Sequence, residues 1–268
     1  MKNRFPYYDE SVFFEFPPLE TARPDGLLAA GGNLSPGMLL SAYKQGIFPW
    51  FSEEDPVLWW SPDPRYVLFP EKLHIPGSLK KVFNKNLFNV TFNTRFDEII
   101  EECRKMPRPG QNGTWITEDL KKAYIKLYEL GFISCAAVTE KKEKMGRAEC
   151  AAQAEKTEQV GRAVQLEQAE KTRHAKQPVY AEQPEQGAEK LVGGVYGVKI
   201  GKCFFGESMF AKANNASKYG FVKFVDYLKQ EGVVIIDCQI KTSHLERFGA
   251  EMIPRRQFLE IIKKYQHI

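Results

Sequence analysis

Two apolar runs, Leu191 to Ile200 and Cys203 to Phe210, are separated only by Gly201-Lys202. Strand-like runs joined by a two-residue link containing glycine can pair only as an antiparallel hairpin. Three further runs read as strands: Phe88 to Phe92, Ile133 to Val138 and Val233 to Gln239. Between them the apolar spacing switches to the helical period. Leu79, Val82 and Phe83 follow Ser78; Leu120, Ala123, Tyr124 and Leu127 follow the cap Thr117 and stop at Gly131. Phe221, Phe224, Val225 and Leu228 follow Asn214-Asn215 and end at Gly232, and Phe258, Ile261, Ile262 and Tyr265 follow Pro254. The expectation is an α+β (mixed α/β) fold with a mostly antiparallel sheet.

The first 70 residues differ in texture. They are dense in Phe, Pro, Trp and Gly, with one short helix starting at the serine cap Ser35 and Pro36, carrying Met38, Leu39, Ala42 and Tyr43, and stopping near Gly46. Residues 1–70 therefore read as a small aromatic-rich N-terminal domain and 71–268 as the mixed α/β domain. The stretch around 144–189 breaks the pattern. It is poor in Ile, Leu and Phe and repeats itself imperfectly, Gly146-Arg147-Ala148 to Thr157 recurring as Gly161-Arg162-Ala163 to Thr172. Without an apolar stripe to bury, it is expected to be a flexible low-complexity insertion.

Apolar residues at 43% and charged residues at 27% suit a soluble globular chain, and the formal charge of +4 permits a nucleic-acid partner without arguing for one. No apolar run is long enough to span a membrane and no signal-like core follows Met1, so the expected place is the cytoplasm. Cys103, Cys135, Cys150, Cys203 and Cys238 form no C-x-x-C pair and share no ligand spacing with the histidines, so no metal and no cofactor is expected.

Chemistry concentrates in two strings, Gly206-Glu207-Ser208-Met209-Phe210 and Ile236-Asp237-Cys238-Gln239. Each places a carboxylate, and the second an amide, where a buried strand would carry Val or Ile. Burying an unpartnered carboxylate costs several kcal/mol, so such residues are paired or functional. Strand alternation puts Asp237 and Gln239 on one side, roughly 6.6 Å apart, and Glu207 with Met209 on a common face. The plain alternative for either carboxylate is an exposed strand face or a bond to a core Arg or Lys.

The ordered strings Pro24-Asp25-Gly26-Leu27-Leu28-Ala29-Ala30-Gly31-Gly32-Asn33-Leu34, Gly46-Ile47-Phe48-Pro49-Trp50-Phe51, Trp59-Trp60-Ser61-Pro62-Asp63-Pro64-Arg65, Gly113-Thr114-Trp115-Ile116, Leu191-Val192-Gly193-Gly194-Val195-Tyr196-Gly197-Val198 and Asn215-Ala216-Ser217-Lys218 join these two. Together they resemble the bacterial leucyl/phenylalanyl-tRNA–protein transferases from about residue 15 to the end, the insertion excepted. The resemblance implies an acyl-CoA N-acyltransferase-like catalytic domain. It also implies transfer of Leu or Phe, with Met as a further candidate, from aminoacyl-tRNA to the N-terminal amine of proteins beginning with Arg or Lys. That transfer marks them for degradation according to their N-terminal residue.

Carried over by motif, Asp237 would orient or polarise Gln239, Gln239 would contact the attacking amine, and Glu207 would face the cationic acceptor. The family's pocket and adenosine positions fall on Trp50, Trp115, Tyr124, Val195, Phe204, Met209 and Phe224; the two tryptophans suit stacking on the terminal adenine. The partners implied are Leu-tRNA and Phe-tRNA, engaged at the aminoacyl-adenosine end and at acceptor-stem phosphates, and the acceptor proteins, with no membrane and a monomeric chain. Lys80, Lys81 and Lys85 lie opposite Leu79, Val82 and Phe83 and suit backbone phosphates; a solvated helix face would look the same.

The chain departs from the family on the strand after Gly131-Phe132, where Ser134, Cys135, Ala137 and Thr139 replace its usual His-Ser, Glu and Trp. Two other classes stay open. An acyl-CoA-dependent N-acyltransferase would need a glycine-rich loop that Phe210-Ala211-Lys212-Ala213-Asn214-Asn215 lacks. A non-enzymatic RNA-binding module would leave Asp237, Gln239 and Glu207 idle.

Overall fold

The computed structural model describes residues 5–106, 114–141 and 189–267. The expected insertion at 144–189 falls outside them except for Glu189. Met1–Thr139 and Leu191–Ile268 make one compact unit, and Glu140–Lys190 makes another.

In chain order the first unit runs β1 (Leu27–Ala30), α1 (Pro36–Lys44), β2 (Phe48–Pro49), β3 (Leu58–Trp60), β4 (Arg65–Leu68), α2 (Gly77–Lys85), β5 (Phe88–Phe92), α3 (Phe96–Lys105), α4 (Glu118–Glu129), β6 (Ile133–Glu140), β7 (Leu191–Ile200), β8 (Cys203–Ala211), α5 (Ala216–Gln230), β9 (Ile235–Gln239), α6 (Ser243–Glu246), β10 (Glu251–Ile253) and α7 (Arg255–Tyr265). A three-stranded sheet has the order β1-β3-β2, and a seven-stranded one the order β10-β4-β9-β8-β7-β6-β5. β4 lies just before residue 70 yet is an inner strand of the larger sheet, between β9 and β10. The pairings β10–β4, β4–β9, β6–β7 and β7–β8 are antiparallel and β8–β9 is parallel, so the mixed α/β fold with a mostly antiparallel sheet is as expected.

Helices cover both faces. Residues of α1, α3, α4 and α7 pack with Tyr196, Val198, Cys203, Phe205 and Phe210 in one core cluster, and α5 packs with Val195, Phe204 and Ile236 in the other. With both faces covered, β7 is buried nearly throughout, which is why it reads as a continuous apolar run.

Most expected boundaries follow from local chemistry. Thr117 Oγ1 accepts the Leu120 N–H at 3.2 Å to start α4, and Gly131 closes it at φ +81°. Ser35 does occupy the N-cap of α1, but its side chain makes no capping bond; Asn33 Oδ1 takes the Ser35 N–H at 3.0 Å. α3 was not expected. Its N-cap, Arg95, holds a left-handed φ of +58° and lacks an oxygen-bearing cap side chain, although Phe96, Ile99, Ile100 and Cys103 keep the helical period.

Candidate active site

Two local departures from regular strand geometry build the site. The first is a bulge in β8: Tyr196 pairs with Ser208 and Gly197 with Gly206, leaving Glu207 as the extra residue. A side chain at Gly197 would strike the Phe205 carbonyl, so only glycine allows the strands this approach. The bulge corrects the expected common face of Glu207 and Met209. Glu207 turns toward Tyr43 and Tyr124, in the α1 and α4 core, whereas Met209 packs into the opposite cluster with Val195, Phe204 and Phe224.

The second departure is at Gln239, which ends β9 with φ +64°, a left-handed conformation uncommon outside glycine and costing about 1–3 kcal/mol. Its Nε2 donates to Glu207 Oε1 at 3.0 Å. The recorded pairing of β8 with β9 runs only from Cys203↔Ile235 to Phe205↔Asp237. The Gln239–Glu207 bond therefore spans the two strands just where that pairing stops.

Glu207 is held by neutral donors. Tyr124 donates to Oε2 at 2.6 Å and Tyr43 to Oε1 at 2.9 Å, while the two phenols lie 2.9 Å apart. Three oxygen–oxygen contacts form a triangle, but two hydroxyls supply only two protons. The third contact becomes a hydrogen bond when Glu207 itself carries a proton. Burial accordingly pushes the Glu207 carboxyl up to about 8, and burial next to Glu207 raises both phenols.

Asp237 has the opposite surroundings. Arg65, on β4, grips it with Nε to Oδ1 at 2.8 Å and Nη2 to Oδ2 at 2.6 Å, both side chains being buried. The guanidinium lies between the rings of Phe48, at 4.7 Å, and Phe258, at 4.8 Å. The bond to a core Arg weighed from the sequence is thus present. Asp237 also touches Gln239, through Oδ1 and the Gln239 backbone N–H at 2.9 Å.

The residues expected to form the pocket fall into two groups. Val195, Phe204, Met209 and Phe224 come together on the α5 side, with Phe204 edge-on to Phe224 at 5.3 Å. Trp50, Trp115 and Tyr124 belong to the core on the Glu207 side. Lys80, Lys81 and Lys85 are exposed on α2, with Leu79 buried beneath. Ser134, Cys135, Ala137 and Thr139 are buried in β6 against β7. A cleft of about 740 Å³ lined by Phe13, Lys44, Leu259 and Lys263 shares no residue with this site.

Two site residues escaped the sequence. Tyr43 was counted only among the apolar positions of its helix, and Arg65 only within a motif. The usable signal for Tyr43 was that a buried tyrosine needs a partner for its hydroxyl.

The model of the leucyl/phenylalanyl-tRNA protein transferase family matches residues 67–148 and 148–263, and that of the family's N-terminal domain matches 32–63. The chain belongs to the leucyl/phenylalanyl-tRNA–protein transferase family. Membership makes it an enzyme of the aminoacyl-tRNA–protein transferase class. It is 45% identical to the leucyl/phenylalanyl-tRNA–protein transferase of Christiangramia forsetii over 92% of this chain and 96% of that one. Identity to the Pseudomonas fluorescens transferase is 42%, over 93% and 90%. Among solved structures, a crystal structure of FemX superposes with a TM-score of 0.42 at 10% identity, covering 74% of this chain and 63% of that one. Among the described residues, no helix is long and apolar enough to cross a membrane.

Proposed function

We propose that the chain moves Leu or Phe, and Met as a third donor, from aminoacyl-tRNA to the N-terminal amine of proteins beginning with Arg or Lys, as a cytoplasmic monomer. The observation that carries this reading is the Glu207–Gln239 contact at the end of the β8–β9 pairing, between an apolar cluster on one face and aromatic residues on the other. In the reaction the acceptor nitrogen bonds to the ester carbonyl carbon and the bond to the ribose oxygen breaks. The amine loses a proton and the ribose hydroxyl regains one.

Each group has a part in this. One Nε2–H of Gln239 goes to Glu207, and its carbonyl accepts an N–H of the incoming amine and aims the lone pair; such positioning lowers a barrier without proton transfer. Glu207 is the one carboxylate of the cluster without a cationic partner, and it receives the positive charge of the acceptor. The amino-acid side chain lodges among Val195, Phe204, Met209 and Phe224, and Met209 supplies an adaptable wall. Trp50 and Trp115 stack the terminal adenosine. Lys80, Lys81 and Lys85 hold acceptor-stem phosphates without reading sequence. The same reading divides the chain near residue 70 into an N-terminal domain and an N-acyltransferase-like domain interrupted at about 144–189.

Incubating the protein with radiolabelled Phe-tRNA and a peptide starting in Arg tests this. Label should move to the peptide N-terminus and fail to move to the same peptide starting in Asp. Label moving from an acyl-CoA instead would establish the acyl-CoA-dependent reading; tight tRNA binding without transfer would establish the RNA-binding one.

A further inference from the structure

Asp237 meets Gln239 at its backbone, and this changes what the aspartate can do. A left-handed residue at the end of a strand is held there only if its neighbours over-determine it. Asp237 Oδ1 supplies that constraint by accepting the Gln239 N–H at 2.9 Å, and the same oxygen takes Arg65 Nε at 2.8 Å. The second oxygen is taken by Arg65 Nη2 at 2.6 Å. Both carboxylate oxygens are thereby committed inside the protein, and the guanidinium is held in turn between Phe48 and Phe258. The chain of contacts runs from β2 and α7 through Arg65 and Asp237 to the backbone of Gln239, and only then to its side-chain amide and Glu207.

We infer that Arg65 is a positioning residue for transfer, and that Arg65 with Asp237 forms a buried strut fixing the backbone of Gln239 so that its amide faces Glu207. The inference rests on the transfer reading above and sharpens it: the charge of Asp237 serves Arg65, and the reaction feels Asp237 through geometry. An aspartate acting electrostatically on the amine, or taking its proton, would not depend on Arg65 in this way.

Second-site rescue separates the two. In Phe transfer to an Arg-starting peptide, Asp237→Asn alone strands a buried guanidinium, and kcat falls about tenfold or more with KM for Phe-tRNA unchanged. Adding Arg65→Met removes the stranded charge and fills the space between Phe48 and Phe258. The amide carbonyl now at position 237 still accepts the Gln239 N–H. In that double variant kcat recovers at least about fivefold over the single one. A double variant that folds, binds Phe-tRNA like the parent and shows no recovery overturns the inference.

Arg65→Lys covers the case in which these variants do not fold. One ammonium cannot reproduce the two-point grip, so kcat falls by about threefold or more at unchanged KM. Parental kcat in that variant also overturns the strut. A parent protein that transfers no Phe at all refutes the functional reading instead. The strut is then judged by melting: the double variant should be clearly more stable than Asp237→Asn, and equal melting of the two overturns it.

Discussion

Replacing Glu207 by Gln removes one titrating group and leaves the cluster's shape, so it isolates what burial of that carboxyl does to the fold. A carboxyl whose pKa climbs from 4.5 in the unfolded chain to about 8 in the folded one binds its proton more tightly when folded. The stabilisation this gives is fully present below pH 4.5 and is lost as the pH rises toward 8. At 1.36 kcal/mol per decade of pH the loss is on the order of 4 kcal/mol, less what partial exposure screens. For a domain of this size, about 2–4 °C of melting temperature accompanies each kcal/mol, so the parent should lose roughly 10 °C between pH 5 and pH 9 from this group alone. The Gln variant carries a permanently neutral group that accepts from Tyr124 and donates within the triangle, so this component disappears.

The assay is melting followed by circular dichroism at fixed ionic strength across that pH range, parent beside variant. Other groups titrate too; the Glu98 and Glu101 carboxyls are held low by Arg95 and Lys121. They are common to both proteins and cancel in the difference. The difference should change most steeply between about pH 5 and pH 8 and level off above about 8, with the variant gaining on the parent as the pH rises. Parallel curves would refute the reasoning, because they would mean that Glu207 reaches solvent or a cation and ionises as freely in the fold as outside it.

Gln239→Ala should lower kcat by roughly tenfold or more and leave Phe-tRNA affinity nearly unchanged; an equal loss of affinity would make the residue structural. Replacing Lys80, Lys81 and Lys85 with Ala should weaken full-length tRNA and flatten the salt dependence by up to roughly two or three phosphate contacts, while aminoacyl-adenosine is used as before. Equal losses with both donors would place α2 in the fold alone. Joining Glu143 to Lys190 by deleting 144–189 should preserve folding and transfer. Thr139 and Leu191 are already paired across the sheet, and the remaining loop of about five residues fits a hairpin; an insoluble product would refute this.

What could be read from the sequence was whatever is encoded within one turn of chain. Thr117 at a cap, Gly131 and Gly232 at positive φ, and the turn at Gly201 each act on their immediate neighbours, and those elements appear where expected. The site depends on interactions of another range. Arg65 meets Asp237 across 172 positions and Tyr43 meets Glu207 across 164, distances at which periodicity carries no information. The alternation rule also failed at its own scale. It assumes an unbroken ladder, and the extra residue at Glu207 breaks it, turning Met209 to the other face. At Gln239 the backbone turns left-handed, yet Gln239 reaches Glu207 and Asp237 reaches Arg65 on the side of Tyr43, Tyr124, Phe48 and Phe258, so the common side expected for Asp237 and Gln239 holds. Glu207, one of the residues proposed for the chemistry, is a place where strand periodicity misleads.

The two buried carboxylates differ in what holds them. Desolvation penalises both anions, and what differs is the partner. Asp237 meets a fixed guanidinium that satisfies both oxygens, so nothing arriving from outside can improve its position. Glu207 meets two phenols and an amide, dipoles that hold it in place without neutralising a charge. A carboxyl left in that state favours its proton until a cation comes within reach, and the proposed acceptor, a protein N-terminus beginning with Arg or Lys, would bring one. Binding of the acceptor would then supply the counter-charge that the fold withholds from Glu207. Ionisation would in turn strengthen the bond from Gln239 Nε2 and polarise the amide toward its carbonyl, the end proposed to face the amine.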